Sequence, residues 1–249
     1  MRVLHITDPH LFTDRDGSLR GAVTFDTLQS VLAHYRDGDF AADLVALTGD
    51  IVQDDSAGAY AHCSDLVSSL GLPVLCVPGN HDVRQRMRDR LPDPPFSYCG
   101  SFEAGSWLIT GIDSCSAGRA GGKIAERELR RMEKSIADSS AAHVMVCLHH
   151  PPVPMHSKWL DTVGLDNGGE FLARAGSAGR VRTAIFGHVH QDYDAVHDGI
   201  RLIATPSTCR QFLPHADEFA VDDKPPAYRR IELRPDGSID AQLIWVAGD

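Results

Sequence analysis

The chain has 249 residues, 43% hydrophobic and 23% charged, the make-up of one large globular domain or two small ones. Lys plus Arg number 24 against 34 Asp plus Glu, a formal charge of −10. That balance excludes a general binder of nucleic acid or anionic membrane, and no apolar run approaches the roughly 20 residues that cross a bilayer.

Residues 2–7 read as a strand that ends in Asp8-Pro9-His10. A polar loop leads to a helix over 24–36, with Phe25, Leu28, Val31, Leu32 and Tyr35 at helical spacing. Asp37-Gly38-Asp39 stops it, and a second strand over 43–48 ends in Gly49-Asp50. Asp55 or Ser56 can cap the next helix, which carries Tyr60, Leu66, Val67 and Leu70 inward. A third strand over 72–77 ends in Pro78-Gly79-Asn80-His81-Asp82. This β-α-β-α-β order predicts three parallel strands, and such sheets build sites at their carboxyl ends.

Residues 84–98 are charged and proline-broken, a loop or an irregular helix. A strand over 106–112 ends at Asp113, a helix covers 126–137, and a strand over 143–148 ends in His149-His150-Pro151-Pro152. The loop 153–168 is long enough to be an active-site wall. A helix over 170–175 precedes a strand over 181–186 that ends in Gly187-His188-Val189-His190. Two hairpins close the chain, one around Asp198-Gly199 and one around Pro235-Asp236-Gly237. Without a repeat or linker, residues 1–249 read as a single domain, its strands from about 192 completing a second sheet.

The six cysteines form no C-x-x-C pair, and Cys76 and Cys147 sit in apolar runs. With no signal peptide ahead of the first strand, a reduced, cytoplasmic protein is expected.

The strand ends collect Asp8, His10, Asp50, Asn80, His149, His188 and His190. Carboxylate, amide and imidazole together suit first-row metals, with manganese, iron, zinc and cobalt all acceptable. Seven ligands are too many for one ion and suit two divalent or mixed-valence ions. Asp50, alone on its turn, is the best bridge. In extended chain the i, i+2 pairs Asp8/His10 and His188/His190 would face one side. Gly49, Gly79 and Gly187 sit beside ligands, as close approach or as plain turns.

The ordered set D-x-H, G-D, G-N-H-D, H-H-P and G-H-x-H resembles the calcineurin-like metallophosphoesterases over residues 3–245. Thr205 to Phe212, Tyr228-Arg229 and Asp236-Gly237 are similar to the bacterial class III cyclic-nucleotide phosphodiesterases within it. The resemblance implies a four-layer α/β/β/α sandwich of two mixed sheets and a dinuclear site. It implies Asp8, His10, Asp50 and His190 on one metal, Asp50, Asn80, His149 and His188 on the other, and His81 as the catalytic histidine. It further implies attack of a metal-bridging hydroxide on a small phosphodiester, 3′,5′-cyclic AMP first, giving 5′-AMP. The same chemistry on a glycerophosphodiester, a 2′,3′-cyclic nucleotide or a phosphomonoester is the alternative, and a non-catalytic protein-binding scaffold a further one. Neither nucleic acid nor membrane is an expected partner, and the chain is a monomer or a homodimer.

Other polar residues have plainer readings. His5 is structural on its strand, His150 lies behind the ligands, and His34, His62, His143, His197 and His215 are surface residues. Asp82 either orients a ligand or His81 or caps a turn. His156, Asn167, Arg210 and Phe212 are candidates to line the substrate pocket. No G-x-x-x-x-G-K-[ST] loop and no G-x-S-x-G elbow is present.

Overall fold

The computed structural model describes residues 1–91 and 94–247. Its strands form two six-stranded mixed sheets and two small two-stranded ones. In the first sheet Arg2–Ile6, Leu44–Leu47, Val74–Cys76 and Phe96–Tyr98 run parallel. In the second, Trp107–Gly111, His143–Cys147, Val181–Phe186 and Ile200–Ala204 run parallel, with an antiparallel strand at each edge.

Three hydrophobic cores separate four layers. Side chains alternate along a strand, so a strand buried on both faces feeds two cores. Leu44 and Ala46 enter the core between the sheets, whereas Val45 and Leu47 pack beneath the helices Thr24–Asp37 and Ala57–Ser68. In the second sheet Met145 and Cys147 face the first sheet, while Val144 and Val146 face the helices Glu126–Asp138 and Gly168–Ser177. This is the expected α/β/β/α sandwich.

The strands beyond 192 do not all complete the second sheet. Tyr193–His197 and Ile200–Ala204 join it, but Ala227–Leu233 and Ile239–Trp245 belong to the first sheet, beside Arg2–Ile6. The reason is the exposed edge that the first strand would otherwise carry. The returning hairpin covers that edge and buries Ile231 and Leu233 between the sheets. Residues 84–98 divide into a helix, Arg84–Arg90, and an edge strand, Phe96–Tyr98; residues 92 and 93 lie outside the described set. The strand Ser101–Ala104 was not expected; its alternation is only half-buried.

The carboxyl ends of the central strands of both sheets meet at one rim. Backbone bonds knit that rim: Asp8 N–H donates to Gly49 O, and Gly187 N–H to His149 O.

Candidate metal centre

The rim gathers all seven expected residues, and five of them do not reach it as extended chain. Asp8, His10, Asp50, His188 and His190 all have left-handed backbones, with φ between 47° and 68°. Asp and His tolerate this region better than most residues. Each such residue costs roughly 1–3 kcal/mol, and such strain collects at functional sites. The expectation that the i, i+2 pairs converge as extended chain is therefore corrected. A left-handed turn after each strand end re-aims the side chains inward.

The inward atoms form two groups. In one, His10 Nε2 lies 3.1 Å from His190 Nε2 and 3.7 Å from Asp50 Oδ2, and His190 Nε2 lies 3.4 Å from Asp8 Oδ1. In the other, His149 Nε2 lies 3.2 Å from Asn80 Oδ1, 3.2 Å from His188 Nδ1 and 3.5 Å from Asp50 Oδ1. Asp50 sends one carboxylate oxygen to each group. Bonds of about 2.0–2.2 Å from nitrogen and oxygen to a metal place ligand atoms about 3.0–3.4 Å apart. Most of the spacings fall in that range, and these His and Asp atoms could hold metal ions.

Outer partners fix which ring nitrogen faces inward. Nδ1–H of His10 donates to Gln53 Oε1 at 2.9 Å, that of His149 to Thr48 O at 2.7 Å, and that of His190 to Arg210 O at 2.6 Å. Each turns Nε2 toward the centre, the arrangement that metal-ligating histidines use. His188 instead faces in through Nδ1, and its buried Nε2 has no hydrogen-bond partner among the described residues. Two facing imidazole lone pairs repel, and a shared cation or proton removes the repulsion.

Electrostatics point the same way. Burial opposes ionisation of Asp8, but the neighbouring His190 holds its carboxyl down at about 2. Burial likewise opposes protonation of His149, yet Asp50 beside it raises its pKa to about 9. For His10 desolvation wins over the carboxylates and lowers it to about 4.

Close backbone approach makes Gly79 and Gly187 obligatory, and likewise Gly49, whose Cβ would lie 2.6 Å from Gly79 N. A Cβ at Gly79 would lie 2.1 Å from Asp50 Oδ1, and one at Gly187 would lie 2.0 Å from Thr7 Oγ1. The plain-turn reading fails for all three.

His81 stands next to the ligands. Its backbone N–H donates to Asp50 Oδ1 at 2.9 Å, and its half-buried ring packs edge-on to His10 at 5.0 Å. Asp82 braces this turn by accepting from Gly79 N–H, Ile51 N–H and Tyr60 O–H. His150 lies close to His149 and His188, but its nitrogens are bonded to Ser114 Oγ and Ala120 O. His5 is buried between Thr48 and Thr205, a strut between the sheets.

Two plainer readings change. His143 is buried against Trp107 rather than on the surface. Asn167 does not line a pocket, because its amide bonds both backbone groups of Ile124. Phe212 stacks on the His190 ring at 4.0 Å. Sequence reasoning missed Gln53, whose only signal is its place three residues after Asp50.

The calcineurin-like phosphoesterase family matches residues 1–192. A 3′,5′-cyclic adenosine monophosphate phosphodiesterase, CpdA, of Escherichia coli is 36% identical over 99% of this chain and 90% of its own length. The protein of the same name from Pseudomonas aeruginosa is 30% identical over 98% of this chain and 89% of its own. Among solved structures, a dimetal phosphatase from Danio rerio shares the fold with a TM-score of 0.68 and 16% identity, over 99% of both chains. Sequence and architecture agree, and the chain belongs to the calcineurin-like phosphoesterases.

Proposed function

We propose that the protein is a metal-dependent phosphodiesterase that hydrolyses 3′,5′-cyclic AMP to 5′-AMP. The observation that carries this reading is the split of the Asp50 carboxylate between two groups of inward-facing nitrogen and oxygen atoms. The activity named for relatives matched along nearly the whole chain supports the substrate.

In this reading Asp8, His10, Asp50 and His190 would hold one ion, and Asp50, Asn80, His149 and His188 a second. The donor set suits manganese, iron, zinc or cobalt. Bound ions would polarise the phosphoryl oxygens and lower the pKa of the attacking water. The chain's own contribution is orientation and proton supply. Water adds to phosphorus and releases one proton to solvent, the P–O3′ bond breaks, and His81 protonates the departing O3′ and regains its proton from solvent. His81 suits the role because it adjoins the site through its backbone bond to Asp50 while its ring is half-open. Residues 1–249 act as one unit in this reading, since the segment beyond the family match supplies the Arg210 carbonyl that orients His190. The free thiols of Cys63, Cys99, Cys115, Cys147 and Cys209 support a reducing, cytoplasmic setting. No helix among the described residues is long and apolar enough to cross a membrane.

The test loads the protein with each metal in turn. It compares 3′,5′-cyclic AMP with a 2′,3′-cyclic nucleotide, a glycerophosphodiester and a phosphomonoester. His81→Ala is expected to keep its metal content and to lose about 10²–10⁴-fold on cyclic AMP. Its loss on an aryl diester with a good leaving group should be smaller. Full rate of the variant on cyclic AMP would remove His81 from the reaction. Preference for another ester would reassign the substrate.

A further inference from the structure

A cavity of about 400 Å³ opens beside the proposed proton donor, lined by Asn80, His81, Arg84, Gln85, Cys115 and Ala117 among others. Its volume is within the range of about 300–1,000 Å³ typical of small-molecule sites. Arg84 is the fixed element of its wall. Its guanidinium is held by the Asp113 carboxylate through Nε and Nη2, and Nη2 also donates to Cys115 O at 2.6 Å. Asp113 is nearly buried and is held in turn by Cys115 N–H at 2.9 Å. The Arg84 side chain remains 31% exposed.

This arrangement makes Arg84 a poor anion hook. Its charge is already matched by a carboxylate in bidentate contact. What remains is a rigid, planar, weakly hydrated face, which favours stacking on an aromatic ring. The leaving oxygen has to lie within reach of the His81 proton. In a 3′,5′-cyclic phosphate both ester oxygens sit on one ribose, so the nucleoside follows O3′ to the His81 side.

Building on the cyclic AMP reading, we propose that this cavity holds the nucleoside half of the substrate, with the nucleobase stacked on the Arg84 guanidinium. Arg84 is then a specificity residue that reads the presence of a base and leaves the phosphate to the metal centre.

The experiment uses matched pairs with and without a base. Turnover of 3′,5′-cyclic AMP is compared with that of abasic ribose 3′,5′-cyclic phosphate. Equilibrium binding of 5′-AMP is compared with that of ribose 5-phosphate. Variants are Arg84→Ala, Arg84→Lys and Ala117→Trp, the last filling the cavity from its exposed rim. All three are expected to raise KM for cyclic AMP and weaken 5′-AMP about tenfold, equivalent to about 1.4 kcal/mol for the lost stacking contact. The abasic partners should change less than twofold. Equal losses with and without a base in Arg84→Ala, rescued by Arg84→Lys, would make Arg84 a phosphate contact and overturn the proposal. Equal losses in all variants together with lowered metal content would reduce Arg84 to a structural brace and overturn it as well. Should cyclic AMP resist hydrolysis while 5′-AMP still outbinds ribose 5-phosphate in an Arg84-dependent way, the cavity assignment stands and the substrate reading falls.

Discussion

Alanine at position 79 isolates the close packing that the centre depends on. The backbone of Gly79 has no left-handed requirement, so the perturbation is steric alone. Its new Cβ would meet Asp50 Oδ1 at 2.1 Å and Asp50 N at 2.2 Å, against about 3.4 Å for an ordinary contact. Neither neighbour is a flexible chain end: one is backbone, and the other is the oxygen that faces His149. The carboxylate, or the whole Asn80-His81 turn, therefore moves by about 1 Å. Overpacking of this kind costs about 1–3 kcal/mol, and a 1 Å misplacement at a reacting centre costs about 10²-fold in rate. Gly79→Ala should therefore show a lowered melting temperature, substoichiometric metal by elemental analysis, and kcat down about 10²-fold. Native metal content with an unaltered rate would refute the argument that Asp50 is held by this contact.

Three further outcomes follow from the same geometry. Gln53→Ala removes the acceptor of His10 Nδ1–H and should weaken metal binding about 10–100-fold; an unchanged affinity by competitive chelation would show that the His10 tautomer is set elsewhere. His149, raised to about 9 by Asp50, carries a proton at pH 7 in the metal-free protein, and metal uptake should expel it. Titration calorimetry in buffers of differing ionisation enthalpy should find close to one proton released from this group at pH 7 and progressively less above pH 9; no release at pH 7 would contradict the pairing. His5 is lowered to about 3 by burial and by Arg229. The unfolded chain takes up its proton near pH 6.5 and the folded chain does not, so stability is full above pH 6.5 and falls as pH drops toward 3. The His5 share of that slope is about 1.4 kcal/mol per pH unit, and denaturant melts of His5→Gln should lack it; an identical acid slope in the variant would place the loss elsewhere.

The candidate site was legible because the chemistry of a side chain resides in its type and its order along the chain. Carboxylates, an amide and imidazoles at successive strand ends carry their meaning before folding, and the short apolar runs that precede them read as strands. The edge strand Phe96–Tyr98 and the helix Arg84–Arg90 were hard to read for physical reasons. The first is three residues long, and the second buries only Met87. The outer shell was harder still, since the acceptors for His149 and His190 are backbone carbonyls of Thr48 and Arg210, and a carbonyl has no letter.

By itself the sequence determined the family, the parallel order of the first three strands and the residue types that stand at the strand ends. Only the tertiary structure decided how the ligands are aimed, through left-handed turns that an i, i+2 count cannot distinguish from extended chain. It also decided that the last hairpin closes the edge of the first strand, and that Asp113, buried between distant segments, turns a surface-looking Arg84 into a fixed wall. These features depend on contacts between residues far apart in the chain. Their energies come from packing and from paired polar groups, which no local pattern encodes.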